Sequence, residues 1–184
     1  VARLVEKKGF LTLLKAFQRI HQEFPRTTLH IIGTGEDEEK IRVFIDENQL
    51  TEHVFLRGPM DSNQISKELR NSHLFCLASE TGEDGDVEGI PNALKEAMAS
   101  GLPVISTFHG GIPELIEHKK SGFLVPEKDD LKLAQGIKYF LSHPRVWKRY
   151  TRSARQVIDE NFDLNKQIIE QQRLYSLIEK NNGD

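Results

Sequence analysis

The stretch LFCLASETGEDGDVEGIPNALKEAMASG, residues 74–101, contains a predicted strand, a loop and a predicted helix in that order. The apolar run 74–78 is typical of a buried parallel strand, and Pro91 stands where a helix can begin. A glycine-containing loop therefore joins a strand end to a helix start. The first helical turn has backbone N–H groups without intrahelical partners, which together with the helix dipole favour an anion. The stretch thus predicts a phosphate site in front of the helix.

Two glutamates flank this predicted site. Glu88 precedes the helix and Glu96 follows eight residues later, at most roughly 12 Å away along a helix axis. That separation suits a nucleotide sugar whose diphosphate lies at the helix start, with one carboxylate binding hydroxyls on each side. The same spacing is common in ordinary solvated helices, so spacing alone leaves both interpretations open.

The overall composition excludes several classes of protein. The 184 residues, 38% hydrophobic and 29% charged, suit one globular domain, or one with an appendage. The net charge of −3 is not the basic signature of a nucleic-acid-binding protein. The single cysteine, Cys76, cannot form an internal disulfide, which agrees with a cytoplasmic location. We expect neither a membrane span nor a signal peptide, because no apolar run reaches about 18 residues.

Apolar runs alternate with helical patterns along the chain and predict an α/β fold. Strands are predicted at residues 1–4, 29–32, 54–57, 74–78, 103–106 and 123–125, and helices at 10–24, 36–48, 61–71, from 91, from 110, and at 129–142, 144–160 and 164–179. This alternation implies a doubly wound, parallel, six-stranded, Rossmann-like sheet in the order 3-2-1-4-5-6, with helices at the C-terminus. The first and fourth strands are then neighbours, and ligands bind beyond their carboxyl ends. Arg3 and Lys8 should therefore meet the Glu88 loop.

Two other motifs point to competing ligands. Gly33 and Gly35 are two of the three glycines of a dinucleotide fingerprint, but Glu38 occupies the third position, so nicotinamide or flavin binding is not expected. The acidic run around residues 84–86 has the composition of a divalent-cation site. Because the helix start already supplies donors for phosphate, we expect no metal there and a solvated loop instead.

The segment after the fifth predicted strand contains His109, Gly110 and Gly111. The two glycines allow unusual backbone angles near a ligand, and they serve a tight turn equally well. The sequence fixes no partner acid for His109, so we expect it at the surface or behind the site.

Residues 88–105, EGIPNALKEAMASGLPVI, resemble the motif of two glutamates separated by seven residues in retaining glycosyltransferases of family 4. Residues 110–115 and 122–125 continue the likeness, which covers nearly all 184 residues. It corresponds to the C-terminal, donor-binding half of such an enzyme, which has the GT-B architecture. Residues 85–87, inserted before Glu88, favour relatives of the exopolysaccharide or colanic-acid type.

The resemblance implies a role for each matching residue. Glu88 would bind hydroxyls of the donor sugar, and Glu96 would bind those of the ribose. Arg3 and Lys8, with Lys7 as a less favoured substitute, would contact the diphosphate and stabilise charge on the leaving group. The expected catalytic residues are thus Glu88, Arg3 and Lys8. Donor-binding positions at the helix start are Gly89, Ile90, Pro91, Asn92, Ala93 and Leu94.

Arg57, at the end of the third predicted strand, has two possible interpretations. Its guanidinium is placed to approach the donor base, and a surface ion pair explains it equally well. We include it among the candidate donor-binding residues.

The resemblance implies the donor-binding domain of a retaining glycosyltransferase that transfers a hexose from a UDP- or GDP-sugar to a glycan or lipid-linked acceptor, without a cofactor. The alternative is a stand-alone nucleotide-sugar-binding or regulatory subunit, since the acceptor domain is absent and the fragment alone is expected to be inactive. We expect residues 1–160 to form the donor domain and residues 161–184 a helix that packs on it or on an N-terminal domain. The protein would be cytoplasmic, with that domain at the inner face of the membrane.

Overall fold

The computed structural model describes residues 1–162, together with Ile168 and Gln172. Strands and helices alternate within them, as expected. The helices are α1 Phe10–His21, α2 Glu38–Glu47, α3 Ser62–Asn71, α4 Asn92–Ala99, α5 Ile112–Leu115, α6 Asp130–Ser142 and α7 Trp147–Asn161; the strands are β1 Leu29–Ile31, β2 Val54–Leu56, β3 Phe75–Cys76, β4 Val104–Thr107 and β5 Phe123–Val125. Of the helix predicted at 164–179, only Ile168 and Gln172 are among the described residues.

The strands form two parallel sheets, and the prediction of one six-stranded sheet is corrected in this respect. One sheet contains β1 and β2, and the other contains β3, β4 and β5 in that order. Residues 1–4 form no regular strand, but the N–H groups of Ala2 and Leu4 donate to the carbonyls of Ile32 and Thr34, both at 3.0 Å. The opening segment thus lies beside β1, where a doubly wound sheet has its first strand.

A cavity of about 540 Å³ lies where the sheet is divided. It lies between residues 29–32 and 74–77, with Val1 at its wall and the apolar side chains of α1 on one side. Residues 1–4 pair with the chain just after β1, so they occupy only part of the space between β1 and β3. The hydrogen-bonded ladder is interrupted there.

The helices cover both faces of the strands and form two core clusters. On one face α1 packs against α6, and on the other α4 packs against α7. The buried residues of α1 recur at helical spacing, as in Leu13, Phe17 and Ile20. This burial supplies the main stabilisation, at about 25 cal/mol per Å² of apolar surface removed from water.

Gly9 guides the chain from the opening segment into α1. It has a φ of 62°, and a Cβ at this position would lie 1.9 Å from the Ala78 carbonyl oxygen. Only glycine permits this approach. Next to it, the Glu80 N–H donates to the Lys7 carbonyl at 2.9 Å. The segment that carries Lys7 and Lys8 is therefore held against the end of β3.

Candidate functional site

The helix start after the Glu88 loop presents unpaired backbone donors. Pro91 is the N-cap residue of α4 and makes no side-chain cap. In the described part of the chain, the N–H groups of Gly89, Ile90, Asn92 and Ala93 have no hydrogen-bond acceptor, whereas Leu94 N–H donates to Pro91 O at 3.2 Å. Four donors, together with the dipole of an eight-residue helix, are thus available to an anion.

Lys8 and Glu88 form an ion pair at this helix start, although they are 80 residues apart in the sequence. Their side chains are only 12% and 17% exposed. Ser79 Oγ donates to the second carboxylate oxygen of Glu88 at 3.3 Å. The predicted convergence with the Glu88 loop is confirmed for Lys8, whereas Arg3 makes no hydrogen bond or ion pair with the described residues of that loop.

Lys7 points to a different partner. Its Nζ lies 2.7 Å from Asp86 Oδ2 in the acidic loop. The hydrogen bond to Asp86 raises the pKa of Lys7, which keeps its ammonium group charged. Lys7 is therefore paired with the loop, and Lys8 is the lysine at the α4 start.

Arg3 and Glu96 have charged groups without a protein partner. Both residues are exposed, and neither makes a hydrogen bond or an ion pair with the described residues. Their contacts with a donor remain predictions.

Arg57 lies apart from these groups, at the end of β2. Its Nη2 is 3.4 Å from Glu68 Oε1, and both residues lie at the surface. Since β2 pairs only with β1, it is the outer strand of its sheet. The structure shows the surface ion pair, and contact with a donor base remains a prediction.

His109 lies directly behind Glu88. It is 1% exposed, and its Nε2 accepts the Glu88 N–H at 3.0 Å. Its Nδ1 lies 2.8 Å from Glu127 Oε1. Of the two expected positions for His109, the one behind the site is confirmed and the surface position is wrong.

Glu127 completes this arrangement and was not identified from the sequence. Its Oε2 accepts hydrogen bonds from the Thr81 N–H at 2.7 Å and the Thr81 hydroxyl at 2.9 Å. Burial acts to raise the pKa of Glu127, but the hydrogen bonds from Thr81 and His109 outweigh it and hold the pKa below the ordinary value. The sequence did contain a signal for Glu127. This residue follows β5, and residues that follow parallel strands lie at the same edge of the sheet, where the Glu88 loop also lies.

Gly110 shows why the segment after β4 is rich in glycine. It has a φ of 48°, and a Cβ at this position would lie 1.8 Å from the Glu88 carbonyl oxygen. Between the two roles expected for these glycines, close approach to the binding loop is the one observed for Gly110. The positive φ adds a second reason for glycine.

Acidic side chains in and beside the 80–88 loop accept hydrogen bonds from the backbone of the loop. Asp84 Oδ1 accepts the Asp86 N–H at 2.9 Å, and Glu6 Oε2 accepts the Glu83 N–H at 3.3 Å. Among the described residues, no group of three or more His, Cys, Asp or Glu side chains is placed to hold a metal ion. Over the same residues, no helix has the length and apolar character needed to cross a membrane.

A family model described as glycosyl transferases group 1 matches residues 1–157. The chain belongs to the group 1 glycosyl transferases. Among curated relatives, it is 40% identical over 180 residues to the Escherichia coli K12 protein WcaL, named as a colanic acid biosynthesis glycosyltransferase, a match that covers 97% of this chain and 44% of WcaL. It is 46% identical over 134 residues to the amylovoran biosynthesis glycosyltransferase AmsK of Erwinia amylovora, covering 73% of this chain and 33% of AmsK.

A solved structure extends this group 1 assignment to the fold. The pneumococcal O-GlcNAc transferase GtfA, in complex with UDP and GlcNAc, matches with a TM-score of 0.78 and 26% identity over 99% of this chain and 35% of that one. The predicted fold class, the Rossmann-like C-terminal domain of a GT-B glycosyltransferase, is confirmed. The chain spans less than half the length of these relatives.

Proposed function

We propose that this chain binds the nucleotide-sugar donor of a retaining glycosyltransferase, of the kind that builds a surface polysaccharide. The observation that carries the proposal is the contact between Lys8 and Glu88 at the α4 start, beside four backbone N–H groups without acceptors. A lysine and free amides match the diphosphate of such a donor, and a carboxylate matches its sugar hydroxyls. The names of WcaL and AmsK, of colanic acid and amylovoran biosynthesis, support a role in making a polysaccharide.

In this proposal the diphosphate lies against the amides of residues 89–93, with Lys8 and Arg3 close to it. As the bond from sugar to phosphate breaks, negative charge grows on the leaving nucleoside diphosphate, and preorganised donors stabilise it. Glu88 binds the sugar and Glu96 the ribose. The hexose passes with retention to a glycan or lipid-linked acceptor held by an N-terminal domain. Protein groups neutralise the diphosphate, so no metal is required.

Binding of a bare nucleotide tests the first step. We expect UDP or GDP to bind in calorimetric titrations of the 184-residue chain, with and without EDTA, and ADP serves as a third probe. The absence of binding by all three at millimolar concentration would contradict the proposal. Sustained sugar transfer by this chain alone would exclude the alternative of a purely binding subunit.

The two neighbouring lysines provide a matched comparison. Lys8→Ala should weaken nucleotide binding about tenfold, because a charged hydrogen bond contributes roughly 1.5 kcal/mol or more. Lys7→Ala removes the same group from a side chain that pairs with Asp86, so we expect little change. Equal losses in the two variants would show that general charge, and not a contact at the α4 start, governs binding.

A further inference from the structure

The loop of residues 81–88 is fastened at both ends by one pair of side chains. At its start, the Thr81 N–H and hydroxyl donate to Glu127 Oε2. At its end, the Glu88 N–H donates to His109 Nε2. His109 Nδ1 and Glu127 Oε1 join the two ends at 2.8 Å. Between these points residues 83–87 are exposed.

The hydrogen-bond directions allow only one arrangement of protons. A backbone N–H can only donate, so His109 Nε2 must offer its lone pair to Glu88. Nδ1 then bears the proton and donates it to Glu127. Both oxygens of Glu127 accept, in agreement with the lowered pKa of this carboxyl. His109 is therefore a neutral imidazole in its Nδ1–H form, and Glu127 is the group that selects this form.

The main chain of Glu88 is consequently held on two sides. His109 binds its N–H, and the backbone of Gly110 is packed against its carbonyl, leaving no room for a Cβ. Beyond the backbone, only Ser79 and Lys8 contact its carboxylate among the described residues. Since a side chain starts from its backbone, these contacts determine where the carboxylate can reach.

We propose that His109 and Glu127 are positioning residues, a pair that closes the 81–88 loop and aims the Glu88 carboxylate at the donor sugar. The aim at a sugar rests on the proposed donor-binding function, whereas closure of the loop does not. Neither residue touches the ligand. A diphosphate held by α4 amides and Lys8 would be little affected by the pair, and recognition of the attached sugar would depend on it.

Nitrogen-15 NMR and amide hydrogen exchange of the unliganded chain test the closure. We expect a His109 with protonated Nδ1 and unprotonated Nε2. In His109→Leu, exchange of the Glu88 amide should accelerate at least about tenfold, the effect of losing roughly 1.4 kcal/mol of protection. His109→Gln, whose side-chain oxygen can accept the same N–H, should restore much of the protection. A protonated Nε2, or an unchanged Glu88 amide in the leucine variant, would overturn the proposal.

His118→Leu is the matched control. His118 Nδ1 accepts the Leu124 N–H at 3.0 Å, so this change also removes a bond from a histidine to a backbone amide. His118 precedes β5, so its replacement should leave Glu88 exchange unaltered. Equal acceleration at Glu88 in the two leucine variants would mean that general destabilisation is the cause.

Glu127→Gln provides a second variant of nearly the same volume, in case His109→Leu does not fold. A carboxylate accepts on both oxygens, but an amide accepts on one side only. If the NH₂ of the new amide faces His109, the imidazole proton is forced onto Nε2, where it opposes the Glu88 N–H. If the NH₂ faces Thr81 instead, it opposes the Thr81 N–H. We expect faster exchange of the Glu88 or the Thr81 amide. Unchanged exchange of both would contradict closure by this pair.

Binding then tests the aim of Glu88. The ligand is UDP-glucose or GDP-mannose, whichever binds the unaltered chain. His109→Leu should weaken binding of that sugar nucleotide about tenfold or more, and binding of the matching nucleotide, UDP or GDP, less than about threefold. Equal weakening of both ligands would reduce the pair to a structural role. If no nucleotide or sugar nucleotide binds the unaltered chain, the donor proposal fails, and the exchange measurements still decide the closure.

Discussion

Glu88 already has partners in the unliganded structure, and a donor would have to compete with them. Its carboxylate contacts the Lys8 ammonium group and the Ser79 hydroxyl. Both charges are largely withdrawn from water, and a buried charge that loses its partner is costly. A sugar nucleotide brings a diphosphate to Lys8 and hydroxyls to Glu88, so each member of the ion pair gains a new partner. A bare nucleotide supplies a new partner to Lys8 only.

This competition predicts different effects of Glu88→Gln on two ligands. The variant leaves Lys8 without its carboxylate, so the ammonium group is free for phosphate and bare UDP or GDP should bind equally well or a few-fold more tightly. The intact sugar nucleotide should bind about tenfold more weakly, because charged hydrogen bonds to sugar hydroxyls are lost. Calorimetry with both ligands measures the difference. Parallel changes in the two affinities would refute this division of roles.

Glu96 offers a simpler case, because its side chain is exposed and makes no hydrogen bond or ion pair with the described residues. Glu96→Ala should weaken nucleoside diphosphate binding about tenfold through the loss of hydrogen bonds to the ribose. The melting temperature should stay nearly constant, since no protein contact is removed. Glu114→Ala, which removes an exposed glutamate from α5, is the control. Unaltered nucleotide affinity in the Glu96 variant would remove this residue from the proposed site.

At the scale of elements, the site depends on how closely the segment after β4 approaches the loop before α4. The Gly110 backbone occupies the space that any side chain would need, next to the Glu88 carbonyl. This contact, together with the His109 hydrogen bond, couples the positions of two chain segments.

Gly110→Ala should therefore lower the free energy of unfolding by more than backbone strain alone would. A left-handed residue other than glycine costs about 1 kcal/mol, and overlap with a backbone atom adds an estimated 1–3 kcal/mol. Gly101→Ala is the matched control, because Gly101 has a φ of 78° but open space around its Cβ position. Urea unfolding should show a loss of roughly 2–4 kcal/mol at position 110 and about 1 kcal/mol at position 101. Equal losses would mean that the close approach has no energetic consequence.

At the scale of the whole molecule, a cavity of about 540 Å³ lies between the two sheets, with Val1 at its wall. Elsewhere in the fold, burial lowers the pKa values of His21 and His118. Burial disfavours the charged imidazole, so at low pH the unfolded chain binds protons that the folded chain does not.

Stability should consequently rise with pH as these histidines lose their protons. The free energy of unfolding should be larger at pH 8 than at pH 5, because below the ordinary histidine pKa of about 6.5 the unfolded chain takes up protons that the partly buried imidazoles resist. Urea unfolding at the two pH values measures the difference. A free energy of unfolding that does not rise over this range would contradict the prediction.

The sequence by itself determined the order of strands and helices, the parallel α/β fold, and the convergence of Lys8 with the Glu88 loop. These follow from local patterns and from topology, since apolar periodicity defines the elements and a doubly wound sheet brings its first and fourth strands together. Tertiary structure alone decided the pairing of Lys8 in preference to Lys7, the surface ion pair of Arg57, and the linkage of Thr81, Glu127 and His109. It also decided that residues 1–4 fill only part of the space between the sheets. Such contacts join residues far apart in the chain, and their partners depend on distances of a few ångströms that no sequence pattern encodes.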